Sequence, residues 1–75
     1  MKELKIKISR IEDVKAFVNI VGRYDFDVDL ISGRYAVDAK SIMGLFSIDL
    51  SQNVLMRIHS DDNEALLAEI KAFIV

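Results

Sequence analysis

Residues 37–51, VDAKSIMGLFSIDLS, crowd large apolar side chains around one glycine, directly behind a lysine and a serine. Five of them occupy seven successive positions: Ile42, Met43, Leu45, Phe46 and Ile48. At about 100° per residue in a helix, Leu45 and Ile48 fall on one side and the other three fall together on another side. Because one short helix has a single inner face, we expect the pair to face the core and the other three to form an exposed apolar patch.

Alternation of apolar and polar residues predicts strands on both sides of this stretch. It occurs in residues 3–9 (ELKIKIS), in residues 25–39 (DFDVDLISGRYAVDA) and in residues 53–59 (NVLMRIH). The middle segment contains Ser32 and Gly33, which favour a tight hairpin turn between two strands. The charged side of each strand is expected to face solvent, so the sheet has one buried face.

Two longer segments have the three-and-four spacing of amphipathic helices. The first ends at Gly22, and its apolar positions are Ile11, Val14, Phe17, Val18 and Val21. The second, residues 61–75 (DDNEALLAEIKAFIV), opens with acidic residues and an Asn that suit a helix N-terminus. Its apolar positions are Leu66, Leu67, Ile70, Phe73 and Ile74. These patterns predict one helix after the first strand and one that closes the chain.

The order of elements predicts the fold class α+β, with helices covering one face of a four-stranded antiparallel sheet. The chain has 75 residues, of which 52% are hydrophobic and 29% are charged, a balance typical of a globular protein. A chain of this length holds one hydrophobic core, so residues 1–75 are expected to form a single domain.

Composition also limits the classes of function. There is no cysteine and only one histidine, so we expect no disulfide, no metal site and no cofactor. The net charge of −2, with acidic and basic residues spread along the chain, offers no footprint for nucleic acid. No apolar run approaches the ~20 residues of a membrane span, and MKELKIKIS is unlike a signal peptide. We therefore expect a cytoplasmic protein that binds protein partners, with no membrane role.

The order of elements, with AKSIMGLFSIDL after an SGR turn, resembles HPr, the phosphocarrier of the bacterial phosphoenolpyruvate sugar phosphotransferase system, and its regulatory relative Crh. The order covers all 75 residues, and the specific match lies in residues 33–50. The resemblance implies the HPr-like open-faced sandwich, βαββαβα. It places the strand at residues 53–59 between those at 3–8 and 25–31, whereas a ferredoxin-like domain places the first strand beside the third.

The resemblance also implies a phosphorylatable histidine, in an H-x-R-P type motif between the first strand and the first helix. The corresponding segment, ISRIEDVKAFV at residues 8–18, contains no His, Pro or Gly. With Phe17 and Val18 aligned on the family's helix, Arg10 stands nearest to the missing histidine. Because a protonated guanidinium offers no nucleophilic lone pair, we expect the phosphocarrier chemistry to be lost.

His59 is the only histidine of the chain, at the outward end of the fourth predicted strand. A displaced phosphoryl acceptor at this position would keep the protein a working phosphocarrier, which is one alternative function. A solvated residue at the end of a strand is the simpler interpretation.

Ser41 matches the second site of the family, a regulatory serine that an ATP-dependent HPr kinase modifies. A serine at this position also caps the short helix, since its oxygen can accept from the amides of the first turn. The two roles are compatible, because a phosphate would meet the same amide donors. We expect Lys40 to favour that phosphate and Asp38 to oppose it.

In HPr the corresponding helix meets enzymes and a transcriptional regulator. Beside Ser41 we therefore predict a docking patch for a protein partner such as an HPr kinase or a transcriptional regulator: Lys40, Ile42, Met43 and Phe46. Burial of these residues in the monomer, or their pairing in a homodimer, is the alternative. The leading hypothesis is an interaction module without the phosphocarrier histidine. A ferredoxin-like regulatory or ligand-binding domain is a further alternative.

Overall fold

A computed structural model describes residues 1–75, and its elements follow the two apolar spacings of the sequence closely. Strands form where apolar residues alternate: β1 (Lys2–Ile6), β2 (Val28–Ser32), β3 (Tyr35–Asp38) and β4 (Val54–Ile58). Helices form where they recur every three or four residues: α1 (Ile11–Val21), α2 (Ile42–Phe46) and α3 (Glu64–Glu69), followed by a 3-10 turn (Lys71–Phe73). None of these helices has the length and apolar character needed to cross a membrane.

The four strands form one antiparallel sheet in the order β1-β4-β2-β3. Met56 of β4 pairs with Leu4 of β1 on one side and with Leu30 of β2 on the other. Both predicted neighbours of the fourth strand are therefore confirmed, and the fold is the HPr-like open-faced sandwich of class α+β. The ferredoxin-like alternative is wrong, because β1 and β3 lie at opposite edges of the sheet.

The core lies between the inner face of the sheet and the helices. Strand residues with fully or almost fully buried side chains are Ile6, Val28, Leu30, Val54, Met56 and Ile58. The helices contribute Val14, Phe17, Val21, Leu45 and Leu66, and Ile70 follows α3. The Phe17 ring meets Phe73 edge to face, with the ring centroids 5.5 Å apart. Truncation of a buried phenylalanine such as Phe17 typically costs about 3–5 kcal/mol.

The hairpin differs slightly from its sequence prediction. Strand β2 begins at Val28 rather than at residue 25, and Ser32 still pairs with Tyr35. The turn therefore consists of Gly33 and Arg34, one residue later than expected. Gly33 has a φ of 60°, and a glycine adopts this left-handed conformation without a steric penalty.

The chain ends as an extended segment, and the prediction of a helix through Ile74 is wrong there. The Lys7 amide donates to the Phe73 carbonyl oxygen at 2.8 Å, and the Val75 amide donates to the Lys5 carbonyl oxygen at 3.1 Å. Ile74 forms a bridge with Ile6. These contacts satisfy backbone groups at the open edge of β1, which a continued helix would leave unpaired.

Candidate functional site

Helix α2 is held at its start by a side-chain cap and by a close backbone packing contact. The Gly44 amide donates to the Ser41 hydroxyl oxygen at 3.1 Å, so Ser41 caps the helix as predicted. A Cβ atom on Gly44 would lie only 3.2 Å from Val37 Cβ, which shows how closely the helix rests on β3. The cap and the glycine together set the orientation of the five-residue helix.

The exposure of the α2 side chains follows the predicted division between its two sides. Leu45 is fully buried, and Ile48, just after the helix, is almost fully buried. Met43 is 78% exposed and Phe46 is 50% exposed. Ile42 is half-buried and packs against the core, so it is only the border of the patch. The exposed apolar surface of α2 therefore consists mainly of Met43 and Phe46.

Lys40 links the segment before α2 to the loop after α1. Its backbone amide donates to Asp38 Oδ1 at 2.9 Å, and its Nζ donates to the Tyr24 carbonyl oxygen at 2.6 Å. The second contact is partly buried and ties the segment before Ser41 to the loop after α1. Tyr24 itself is anchored through its hydroxyl, which donates to Glu69 Oε2 at 3.1 Å. Burial and the nearby Glu69 carboxylate raise the pKa of Tyr24.

Arg10 occupies the N-cap position of α1, with an extended backbone and no side-chain cap for the first turn. Its guanidinium is exposed, and its Nε lies 3.5 Å from Asp13 Oδ2. Ile11, the next residue, was predicted on the buried face of α1, but its side chain is 63% exposed. The prediction is wrong here because Ile11 stands in the first turn, where it forms the wall of a surface groove.

We call this groove, of about 350 Å³, the Arg10 groove. Its apolar lining consists of Ile8, Ile11, Val14, Phe46, Ile48 and Leu50. Arg10 is its only charged lining residue, and Ser9 and Ser51 are its only other polar ones. The groove was not predicted from the sequence, because its two sides come from segments about 40 residues apart, and no local pattern links them.

The loop on one side of the Arg10 groove is stabilised by polar contacts. The Ser51 amide donates to Asp49 Oδ1 at 2.9 Å, and the Ser51 hydroxyl donates to the same oxygen. Lys7 Nζ donates to the Ser51 carbonyl oxygen at 2.7 Å. The hydrogen bonds from Ser51, with a smaller contribution from the Lys7 charge, lower the pKa of Asp49.

His59 lies on the other face of the sheet, away from α2. Its Nε2 is 2.8 Å from Asp29 Oδ2, and its amide donates to the Asp27 carbonyl oxygen at 2.9 Å. A second cavity, of about 270 Å³, is lined only by Asp27, Asp29, Asp38 and His59. The imidazole is therefore paired with a carboxylate rather than simply solvated, a contact that the sequence did not predict. No group of these side chains has an arrangement that could hold a metal ion.

Ser41 caps the helix that carries the exposed side chains of Met43 and Phe46, and Phe46 continues into the Arg10 groove. The Arg10 groove and the exposed surface of α2 therefore share one side chain, that of Phe46. His59 takes no part in this surface. The candidate site is thus an exposed apolar surface with one cation at its edge and one capping serine.

Comparison with known proteins agrees with this architecture. The family model described as PTS HPr component phosphorylation site matches residues 13–75. The structure of HPr-C-His from Thermoanaerobacter tengcongensis is similar, with a TM-score of 0.82 and 27% sequence identity over 99% of this chain and 91% of that chain. Phosphocarrier protein HPr from Bacillus anthracis str. Ames gives a TM-score of 0.69 at 23% identity, over 99% and 94% of the two chains. No curated protein matches the chain.

The match to the family model begins at residue 13 and therefore leaves Arg10 outside it. It includes β2, β3, α2, β4 and the closing helix. Family match, element order and strand order agree, and the chain belongs to the HPr family of the phosphotransferase system.

Proposed function

We propose that this protein is an interaction module of the HPr family that no longer carries a phosphoryl group on a histidine. It binds protein partners through α2, and phosphorylation of Ser41 regulates that binding. The observation that carries the proposal is the exposure of Met43 and Phe46 on a helix whose Leu45 is fully buried. The protein performs no catalytic turnover of its own and acts in the cytoplasm.

The loss of carrier chemistry rests on the segment before α1. That segment contains Arg10 and no histidine, and a guanidinium remains protonated and cannot accept a phosphoryl group. The acidic side chains of Glu12 and Asp13 follow in the first turn of the helix. They would repel an incoming phosphoryl group at low ionic strength.

A displaced acceptor at His59 is the competing function. Asp29 orients the imidazole at 2.8 Å, which supports a defined role for this residue. The same cavity presents Asp27 and Asp38, however, so a doubly charged phosphoryl group would approach three carboxylates. This electrostatic repulsion favours the interaction module over the displaced carrier.

Regulation through Ser41 is supported by its place as the N-cap of the helix that carries Met43 and Phe46. A phosphate there would add about −1.5 to −2 charges at neutral pH at the start of this helix. A partner with a basic residue near its apolar contact would then bind more tightly, and a partner with an acidic residue would bind more weakly. An HPr kinase and a transcriptional regulator are partner classes that fit this proposal.

The direct test is incubation of the purified protein with an HPr kinase and ATP, followed by mass measurement. We expect one phosphate on the unchanged protein and none on Ser41→Ala. Ser47→Ala is the matched control, because Ser47 is an exposed serine at the opposite end of α2, and it should be modified normally. An unmodified protein, under conditions that modify an ordinary HPr, would contradict regulation at Ser41.

The docking surface is tested separately through the kinetics of the same kinase. Met43→Ser and Phe46→Ser should raise KM for this protein, because each removes exposed apolar contact area while Ser41 stays intact. Tyr35→Ser is the control, since Tyr35 is a large exposed side chain on β3, outside α2. Equal KM values for all three variants would contradict docking through α2.

A further inference from the structure

The two edges of the sheet differ in how their backbone groups are used. The edge of β1 receives the chain end, whereas β3 has β2 as its only neighbouring strand. The Ala39 amide donates to the Val28 carbonyl oxygen at 2.8 Å. Because successive residues of an antiparallel strand bond to opposite sides, Ala36 directs its amide and its carbonyl away from β2. Neither group has a hydrogen-bond partner in the chain, so the outer edge of β3 is open.

Two unpaired charges of opposite sign flank this open backbone. Arg34 precedes Ala36 by two residues and Asp38 follows it by two residues, and both are exposed. Neither takes part in any ion pair of the chain. The residue opposite Asp38 on β2 is Asp29, which has the same charge and contacts His59 instead. The edge therefore offers one free cation and one free anion at equal separations from its open backbone groups.

We propose that two copies of this chain pair through the outer edges of β3, antiparallel and about a two-fold axis at Ala36. The two Ala36 residues exchange amide-to-carbonyl hydrogen bonds, as in an ordinary antiparallel ladder. Each Arg34 then lies opposite the Asp38 of the other copy, so the contact contains two ion pairs related by symmetry. This pairing goes beyond the proposed function and does not depend on it.

The side chains between the two charges also suit this pairing. Tyr35 would lie opposite Val37 of the other copy, on the side of β3 that rests against Gly44 of α2. Tyr35 is 71% exposed in the single chain, and Val37 is half-buried. An aromatic side chain opposite a β-branched one is a favourable cross-strand pair. By symmetry, the contact would contain this pair twice.

A second copy fits this edge better than a strand of unrelated sequence does. Residues 34–38, RYAVD, bring opposite charges together and apolar side chains together when the segment meets itself antiparallel. A register centred on Val37 would instead place Arg34 opposite Lys40, which has the same charge. A register centred on Tyr35 would leave both charges without a charged partner. The charges therefore favour the proposed register over its neighbours.

The test is the self-association of the purified protein, measured by sedimentation equilibrium. Because one short strand buries little area, we expect a dissociation constant of about 0.1–1 mM, so that the protein is monomeric at the micromolar concentrations of the kinase assays. NMR spectra recorded at rising protein concentration identify the contact. The amide resonance of Ala36 should shift more than those of Met43 and Phe46, because the Ala36 amide gains a hydrogen bond.

Two charge reversals make the test specific. Arg34→Glu brings like charges together at both ion pairs, and so does Asp38→Lys, so each variant alone should dimerise at least about tenfold more weakly. An equal mixture of the two variants should associate as strongly as the unchanged protein, because the mixed dimer restores both opposite-charge contacts. Amide spectra check that the variants fold, since the Asp38 carboxylate also accepts from the Lys40 amide.

Lys15→Glu is the matched control for these reversals. It makes the same change in net charge as Arg34→Glu, at an exposed position of α1, and it should leave the association unchanged. A weakening equal to that of Arg34→Glu would mean that only the net charge of the chain matters, and it would overturn the contact between Arg34 and Asp38.

Each remaining outcome also decides the proposal. A protein that stays monomeric at millimolar concentration would overturn it and would leave a strand of another protein as the occupant of this edge. Association that Arg34→Glu does not weaken, or that the mixture of variants does not restore, would overturn pairing through β3. Concentration-dependent shifts confined to Met43 and Phe46 would assign the dimer to α2 instead. None of these results bears on Ser41, whose phosphorylation is measured on the monomer.

Discussion

The Ser41 hydroxyl oxygen accepts a hydrogen bond from the Gly44 amide at 3.1 Å, so the serine proposed for phosphorylation also caps the helix proposed for docking. Replacing a capping serine by alanine typically costs about 0.5–2 kcal/mol. We expect Ser41→Ala to lower the free energy of unfolding by about 1 kcal/mol, as measured by urea denaturation. Ser41→Asp retains a capping oxygen and should lower the free energy of unfolding by less than Ser41→Ala does. Equal decreases for the two variants would contradict the role of Ser41 as a cap.

Gly44→Ala tests how closely α2 rests on the sheet. Alanine favours a helix over glycine by about 1 kcal/mol, but its methyl group would lie 3.2 Å from Val37 Cβ. Crowding of this kind costs about 1–3 kcal/mol, so we expect net destabilisation.

The double variant Gly44→Ala with Val37→Gly provides the control for this contact, because glycine removes the Val37 Cβ that the new methyl group would meet. The decrease in the free energy of unfolding of the double variant should be smaller than the sum of the decreases for the two single variants. Additive losses would mean that the two side chains do not compete for the same space.

Substitutions on the buried side and on the exposed side of α2 should differ in their effect on the free energy of unfolding. Leu45→Ala removes a fully buried side chain and should cost about 2–5 kcal/mol in the free energy of unfolding. Met43→Ala removes an exposed side chain and should change it by less than about 0.5 kcal/mol. A comparable cost for Met43→Ala would indicate that its side chain is buried in solution, as in a homodimer, and would contradict a free docking surface.

The lowered pKa of Asp49, in the loop beside the Arg10 groove, predicts that the free energy of unfolding depends on pH. Because hydrogen bonds from Ser51 lower its pKa in the folded state, the ionised carboxylate favours folding. That contribution is present above the ordinary pKa of 3.8 and is lost as pH falls through the lower folded value. Asp49→Asn should therefore be less stable than the unchanged protein at pH 7, and the difference should shrink below about pH 4. Parallel stability curves for the two proteins across this range would contradict the assignment.

Local sequence patterns were sufficient to predict the elements of this fold. Alternating residues around Met56 predicted a strand, and the resemblance to HPr placed it between β1 and β2. The three-and-four spacing predicted α1 from Ile11 to Val21, as observed. The 100° rotation per residue also separated buried Leu45 from exposed Met43. These predictions succeeded because each depends on the periodicity of one element and on a single buried face.

These local patterns could not predict contacts between segments that are distant in the sequence. The chain end leaves its helix because the edge of β1 offers backbone partners to Ile74 and Val75. Ile11 is exposed because nothing covers the first turn of α1. The pairing of His59 with Asp29, 30 residues earlier, depends on the register of β2 against β4. Each of these features arises from tertiary neighbours rather than from spacing along the chain.

The most direct measurement of the central claim is phosphoryl transfer from labelled phosphoenolpyruvate through the general enzyme of the phosphotransferase system. An ordinary HPr serves as the positive control in the same reaction. We expect no acid-labile label on this protein, because the segment before α1 contains Arg10 and no histidine. Acid-labile label that disappears in His59→Ala would contradict the account and would identify the protein as a phosphocarrier with a displaced acceptor.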